Sequence, residues 1–319
     1  MSGYQLIEAD DDAAWDQGVE ASEQGTVFCQ SGYLRSLAMP VKRWWVKSGQ
    51  ETVALLPVVE DATGKNIVQP AYTAYLGPMF LHDAKALRRD RVLDEFRISE
   101  FLVAELTQRF RDINMALSWH CRDVRAFLWH HYHEADKPRF SVVPRYTALI
   151  DLRRLVPETF LTDLRRARRR ELKTAQDHEV GESADIEKFM GLYVDTFGRQ
   201  DIDLPDEHIQ LVRRITTDAL AGGYGRLSAC TTPQGVGSMN VFLYDQRRAY
   251  SMFAGNAPDL RDSGSVTRLL VDNVLHAHHR GLAELDMLGV NSPARGDWKL
   301  SFNPELTPYF AVNLSTPTT

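Results

Sequence analysis

The stretch Arg261-Asp262-Ser263-Gly264-Ser265-Val266 brings together residue types that can hold an anion. Before it, Ala249 to Asn256 reads as a strand; after it, Arg268 to Arg280 reads as a helix with Leu269, Leu270, Val274 and Ala277 on one face. A helix N-terminus offers unpaired N–H groups and a partial positive charge, and a Gly/Ser turn lets a phosphate approach them. Arg261 would add a charge-assisted contact to the same anion. The next apolar run, Leu282 to Gly289, leads into a polar, glycine-punctuated loop that supplies Asn291, Arg295 and Lys299, groups suited to an anionic substrate. Asp286 stands near the end of that run as a candidate base, with a purely structural carboxylate as the competing role. Asn256 closes the preceding strand, whose backbone N–H groups are candidates for receiving an oxyanion. An ordinary strand-to-helix turn leaves the same signature at 261–266, so the spacing alone does not decide.

A third cationic element opens the second half. Pro157 to Ala175 reads as a single helix carrying Arg165, Arg166, Arg168, Arg169, Arg170 and Lys173. At the helical period Leu161, Leu164, Leu172 and Ala175 form one stripe, with Arg168 inside it and Arg166, Arg170 and Lys173 on the far side. An inward arginine needs an anionic partner, either a protein carboxylate or a substrate phosphate. In the first half, Gln69 to Pro78 is an irregular aromatic segment, in which Tyr75 belongs either to a packed loop or to a substrate wall.

Composition excludes several classes. Hydrophobic content of 44% and charged content of 25% describe a globular chain, and no apolar run approaches the roughly 20 residues of a membrane span. The start of the chain is neither basic nor apolar enough for a signal peptide, and the three cysteines are scattered, which points to reduced thiols and a cytoplasmic location. A net charge of −6 argues against broad nucleic-acid binding while leaving room for a local basic patch. The histidines at 120, 130, 131 and 133 lack a carboxylate or cysteine at ligand spacing, so no metal is expected.

Along the chain, short helices at 10–22 and 28–38 precede strands at 41–47 and 51–59, a helix at 84–110, a strand at 113–119 and a helix at 124–133. A Pro-bounded boundary falls near 137–144, and strands near 145–152, 224–230 and 238–244, a last strand at 306–314 and the unit at 249–289 fill the second half. The repeated order of helices, strands, long helix and strand predicts two related α/β domains with mixed sheets, over 1–140 and 141–319.

Three features together resemble the Fem-like branch of the GNAT superfamily: the Ile150-Asp151-Leu152 strand end with the basic helix after it, the strand–Arg-x-x-Gly–helix unit, and the tail Asp286, Gly289, Arg295, Trp298-Lys299, Phe302. The turn is similar to the acyl-CoA pyrophosphate loop of that superfamily, from which Val266 departs at the position of a Gly or Ala. The resemblance implies two tandem GNAT-like domains with a cleft between them and an N-acyltransferase activity. Its donor would be acyl-CoA, held by Arg261, Gly264, Ser265 and Val266. Arg168, Tyr75, Asn291, Arg295 and Lys299 would bind the acceptor, while Asp286 and Asn256 would serve the chemistry. The Asn291-Ser-Pro-x-Arg-Gly tail is similar to the members that acylate nucleotide-linked amino sugars. Two other readings stay open: an aminoacyl-tRNA-dependent transferase acting on a peptidoglycan precursor, for which the 165–173 cluster is the RNA face, and a non-catalytic, ligand-binding double domain with a closed donor groove.

Overall fold

A computed structural model describes residues 3–82, 87–199 and 202–315. The chain divides into two compact units, Met1–Arg145 with Pro308–Thr319, and Tyr146–Thr307. The final stretch of the chain thus belongs with the first unit.

In the first unit β1 (Tyr4–Glu8), α1 (Asp12–Ala21), α2 (Ser31–Ser36), β2 (Val41–Ser48), β3 (Glu51–Val59), β4 (Asn66–Ile67), β5 (Met79–Phe80), α3 (Arg88–Arg109), β6 (Asp112–Ala116) and α4 (Arg125–Trp129) follow in order. One sheet runs β1-β2-β3-β5. Its central pair is the expected hairpin, closed at Ser48↔Glu51. The helix read from 84 begins at Arg88 among the described residues, and its 84–86 portion lies outside them. Ile98, Leu102 and Leu106 recur every fourth position on α3 and bury one stripe among Val46, Leu56, Ile113 and Met115. The helix expected to reach His133 stops at Trp129, and His131 takes a positive φ of 53° that a helix excludes.

The second unit contains β7 (Ser141–Asp151) from Tyr146 on, then α5 (Pro157–Asp163), α6 (Arg166–Thr174), β8 (Glu179–Glu182), α7 (Ile186–Gly198), α8 (Asp206–Ala221), β9 (Gly225–Thr232), β10 (Gly235–Tyr244), β11 (Arg248–Asn256), α9 (Ser265–His279), β12 (Glu284–Asp286) and α10 (Pro293–Leu300). The last strand, β13 (Glu305–Leu314), pairs antiparallel with β6 through residues 311–314. The order β7-β12-β11-β10-β9-β8 combines one parallel pair, β12 with β11, with antiparallel neighbours. Phe242 and Tyr244 join Leu270, Val271, Val274 and Ala277 of α9 in one core. Phe253 meets the Tyr193 ring of α7 and pairs in register with Val241, the neighbour of Phe242. Successive residues of a strand point to opposite faces, so α7 and α9 cover the two sides of the sheet.

Two elements differ from the sequence reading. The helix expected over Pro157 to Ala175 is two helices, because Leu164 and Arg165 are extended between them (ψ 143° and 146°). Arg165 donates its N–H to Ser301 O at 3.0 Å instead of continuing the helical ladder, and its guanidinium pairs with Asp297 at 2.6 Å. The stretch read as a loop after Asp286 contains α10, begun by Pro293 at its first turn.

Candidate active site

The site is built where two strands part company. β12 pairs with β11 only from Arg248↔Glu284 to Tyr250↔Asp286, while β11 runs on to Asn256. The register with β10 shifts from Val241↔Phe253 to Phe242↔Ser251, leaving Met252 as an extra residue, a bulge that bends the strand at this point. Beyond Tyr250 no strand pairs with that edge of β11 among the described residues. Ala257 donates its N–H to Gly237 O beside β10, whereas Asn256 donates to Thr196 Oγ1 on the opposite edge, at 3.0 Å. By the two-residue period the peptide N–H of Ala254 lies on the same edge as that of Asn256, and Ala254 is exposed. The Asn256 N–H is therefore taken by Thr196, and Ala254 offers the open one.

The chain leaving β12 turns the other way. Met287 donates to Ala148 O at 2.9 Å, and the Asn291 side chain bonds the Tyr146 backbone twice, accepting from its N–H and donating to its oxygen at 2.8 Å each. Asn291 thus extends the β7 edge with its own amide. Between these points Leu288 and Gly289 adopt φ of 53° and 49°. A leucine in that region is strained and persists only if neighbours over-determine it. Three groups do so. Asp286, fully buried, accepts from Leu288 N–H at 2.8 Å and from the Thr147 hydroxyl. Lys299 donates its ammonium to Met287 O at 2.5 Å and to Leu288 O at 2.9 Å. Burial, followed by the Arg295 charge, lowers the Lys299 pKa to about 8 against the opposing pull of Asp286. Arg295 itself is exposed, its side chain lying over Gly289.

α6 packs against the Arg261–Val266 turn at Gly264. Gly264 takes φ 79°, and a Cβ there would sit 2.4 Å from Glu171 O and 3.2 Å from the Ala175 side chain. Gly264, Ser265 and Thr267 are buried; the Ser265 N–H is given to Ser263 Oγ at 3.2 Å, and the Thr267 hydroxyl to Glu171. Val266 is half-buried in the first turn of α9. Arg261 is exposed, its guanidinium 3.5 Å from the neighbouring Asp262 carboxylate. Arg168 meets the first of its two expected kinds of partner inside the protein: a carboxylate, Glu171, at 2.9 Å, with the Trp298 ring 5.8 Å from its guanidinium.

Tyr75 lies in the first unit, buried among the rings of Phe28, Trp119 and Tyr309. Sequence reasoning passed over Thr147, Thr196 and Glu171. Glu171 carried a signal, being the sole acid within the basic run 165–173. Among the described residues no three His, Cys, Asp or Glu side chains come together as a metal site, and no helix is long and apolar enough to cross a membrane.

Residues 159–300 match the family model described as an acetyltransferase (GNAT) domain. The whole chain superposes on the crystal structure of FemX with a TM-score of 0.66 at 10% identity, over 96% of each chain. A tandem GNAT protein from the clavulanic acid biosynthesis pathway superposes at 0.53 and 12% identity, over 99% of this chain and 100% of that one. The C-terminal domain of a putative lysylphosphatidylglycerol synthetase from Agrobacterium fabrum gives 0.53 and 12%, over 96% and 93%. No curated protein sequence matches the chain. The domain match covers residues 159–300, and the fold is similar to that of GNAT proteins over the full length. That full-length fold is the double-GNAT, Fem-like one.

Proposed function

We propose that the protein transfers an acyl group from an activated ester onto an amine, and that its donor is an aminoacyl-tRNA, as in the Fem-like members that use one, rather than an acyl-CoA seated at Arg261–Val266. The carrying observation is the packing of α6 on Gly264, where the Glu171 carbonyl lies 2.4 Å from the point a Cβ would take. The same helix turns Arg166, Arg169, Arg170 and Lys173 outward, all exposed. At the helical period these four fall within an arc of roughly 100°. A ridge of this kind suits the phosphates of an RNA acceptor stem.

The amine nitrogen would attack the ester carbonyl carbon, forming the C–N bond. The C–O bond to the ribose then breaks, its electron pair leaves on the ribose oxygen, and that oxygen takes up a proton while the amine releases one. The open N–H of Ala254 is the group we assign to the transient oxyanion. Asp286 and Lys299 we assign to positioning, since both are spent on holding Leu288 and Gly289; water carries the proton from the amine. Arg295, exposed above Gly289, remains the contact for an anionic acceptor such as a peptidoglycan precursor or a nucleotide-linked amino sugar.

The acyl-CoA reading keeps one observation in its favour, the exposed Arg261. Incubating the protein with amine acceptors and either labelled aminoacyl-tRNA or acetyl-CoA, with products read by mass spectrometry, separates the two. Transfer from the tRNA alone is the expected result; transfer from acetyl-CoA alone overturns the reading.

A further inference from the structure

The far end of α9 carries a side-chain cluster that acyl transfer does not use. Tyr244 ends β10, Arg226 lies on β9 opposite Phe242, and His276 and Arg280 sit one turn apart on α9. The Arg280 guanidinium lies 4.4 Å from the centre of the Tyr244 ring, and the His276 ring centre is 6.5 Å from it. Arg226 is fixed from behind: Nη1 donates to Asn273 Oδ1 at 2.7 Å, and Asn273 is anchored to Leu269 O at 2.9 Å and to Ser228 Oγ at 3.0 Å.

What the cluster lacks is an acceptor. The Arg226 Nε is enclosed without an acceptor, and the Tyr244 hydroxyl, on a residue 3% exposed, is faced by the Arg226 and Arg280 guanidiniums, which are donors. Burial holds the phenol above its ordinary pKa, opposed by the two guanidiniums that face its oxygen. Guanidiniums donate only, so the phenol's own proton has no acceptor beside it. Neither Arg226 nor Arg280 forms an ion pair among the described residues. The charged groups facing His276 are Arg226 and Arg280 on one side and Asp272 and Glu182 on the other; burial first, then the two guanidiniums, hold the imidazole below its ordinary pKa. It is therefore neutral near pH 7 and able to gain a proton when negative charge arrives.

We propose that Arg226, Tyr244, His276 and Arg280 form a binding site for a tetrahedral oxyanion of the phosphate type, separate from the acyl-transfer site. An oxyanion here would accept first from the forked donors of the exposed Arg280, and from the enclosed Arg226 Nε and Tyr244 hydroxyl once their side chains shift toward it. The 15-residue α9 places it roughly 20 Å from the Gly264 turn at 1.5 Å per residue. The site accepts either free phosphate or the phosphate of a small ester.

Calorimetric titration of the full-length protein with sulfate, inorganic phosphate and AMP tests this. Sulfate does not titrate near pH 7, so repeating its titration in two buffers of different ionisation enthalpy reads the proton taken up by His276. The expected result is saturable binding with proton uptake. It weakens at least about tenfold in Arg280→Ala, a surface change that leaves circular dichroism unaltered, and several-fold in Tyr244→Phe. His276→Gln keeps binding and loses the uptake. AMP binding far tighter than phosphate identifies an ester as the ligand; equal binding identifies phosphate itself. Absence of saturable binding to all three probes, or binding indifferent to both Arg280→Ala and Tyr244→Phe, overturns the site.

Discussion

The two ends of α9 present opposite cases of anion binding. The N-terminal end has the motif, Arg261 with Gly264 and Ser265 before a helix, and there a carbonyl of α6 packs against the glycine. The C-terminal end has no motif, its residues coming from β9, β10 and the end of α9, and there enclosed donors lack an acceptor. The helix dipole favours an anion at the first end and opposes one at the second, yet it contributes only about 0.3–1 kcal/mol. Two guanidiniums and an unsatisfied phenol outweigh that term, because an enclosed donor without a partner costs about 1–3 kcal/mol. A glycine turn before a helix is therefore an anion site only if nothing else in the fold claims the glycine.

Removing the fit at Gly264 should break the comparison most severely. Gly264→Ala sets a Cβ against the Glu171 carbonyl at a positive φ, and a loss of roughly 3 kcal/mol or more is expected in urea unfolding. Gly281→Ala, at φ 74° with nothing within 4 Å, carries the conformational cost alone, about 1–2 kcal/mol. Equal losses at the two positions would mean that α6 does not press on the turn. Next in size, Glu171→Gln deprives Arg168 of its ion pair and Thr267 of its charged acceptor, which should cost about 1–3 kcal/mol in the same assay.

The pH dependence at Lys299 is smaller and has a fixed sign. Its folded value of about 8 lies below the ordinary 10.5, so between these values the unfolded chain binds the extra proton. The contribution of this residue to stability rises with pH across that window, and below about pH 8 the penalty is fully present. Thermal unfolding compared between pH 7.5 and 9.5 should show a rise in Tm that Lys299→Met lacks. Smallest of all, Arg261→Ala should leave stability within about 0.5 kcal/mol, since its side chain is exposed and its ion pair with Asp262 sits in solvent.

Part of the second unit was legible because turn residues bracket apolar runs at β10 and β11 and the helical stripe Leu269, Leu270, Val274, Ala277 is clean. The Fem-like, double-GNAT fold followed from three spaced features and stands. The break between α5 and α6 was hidden because Leu161, Leu164, Leu172 and Ala175 keep one stripe as if the helix were continuous; its cause is a bond from Arg165 to Ser301, far along the chain. The positioning of Asp286 was equally illegible, resting on Thr147, 139 residues away. The role of Gly264 in packing could not be separated from its role in a motif, since the residue type is the same for both.

We propose that the basic ridge of α6, and not the Gly264 turn, holds the donor. The direct measurement is binding of aminoacyl-tRNA and of acetyl-CoA as a function of salt, in wild type, in Arg166→Glu/Arg169→Glu/Arg170→Glu and in Arg261→Ala. The account predicts tRNA binding whose logarithm falls with log salt at a slope of about −2 to −3, a slope lost in the triple variant and kept in Arg261→Ala, with no measurable acetyl-CoA binding. Acetyl-CoA binding that weakens strongly in Arg261→Ala, with tRNA ignored, would contradict it.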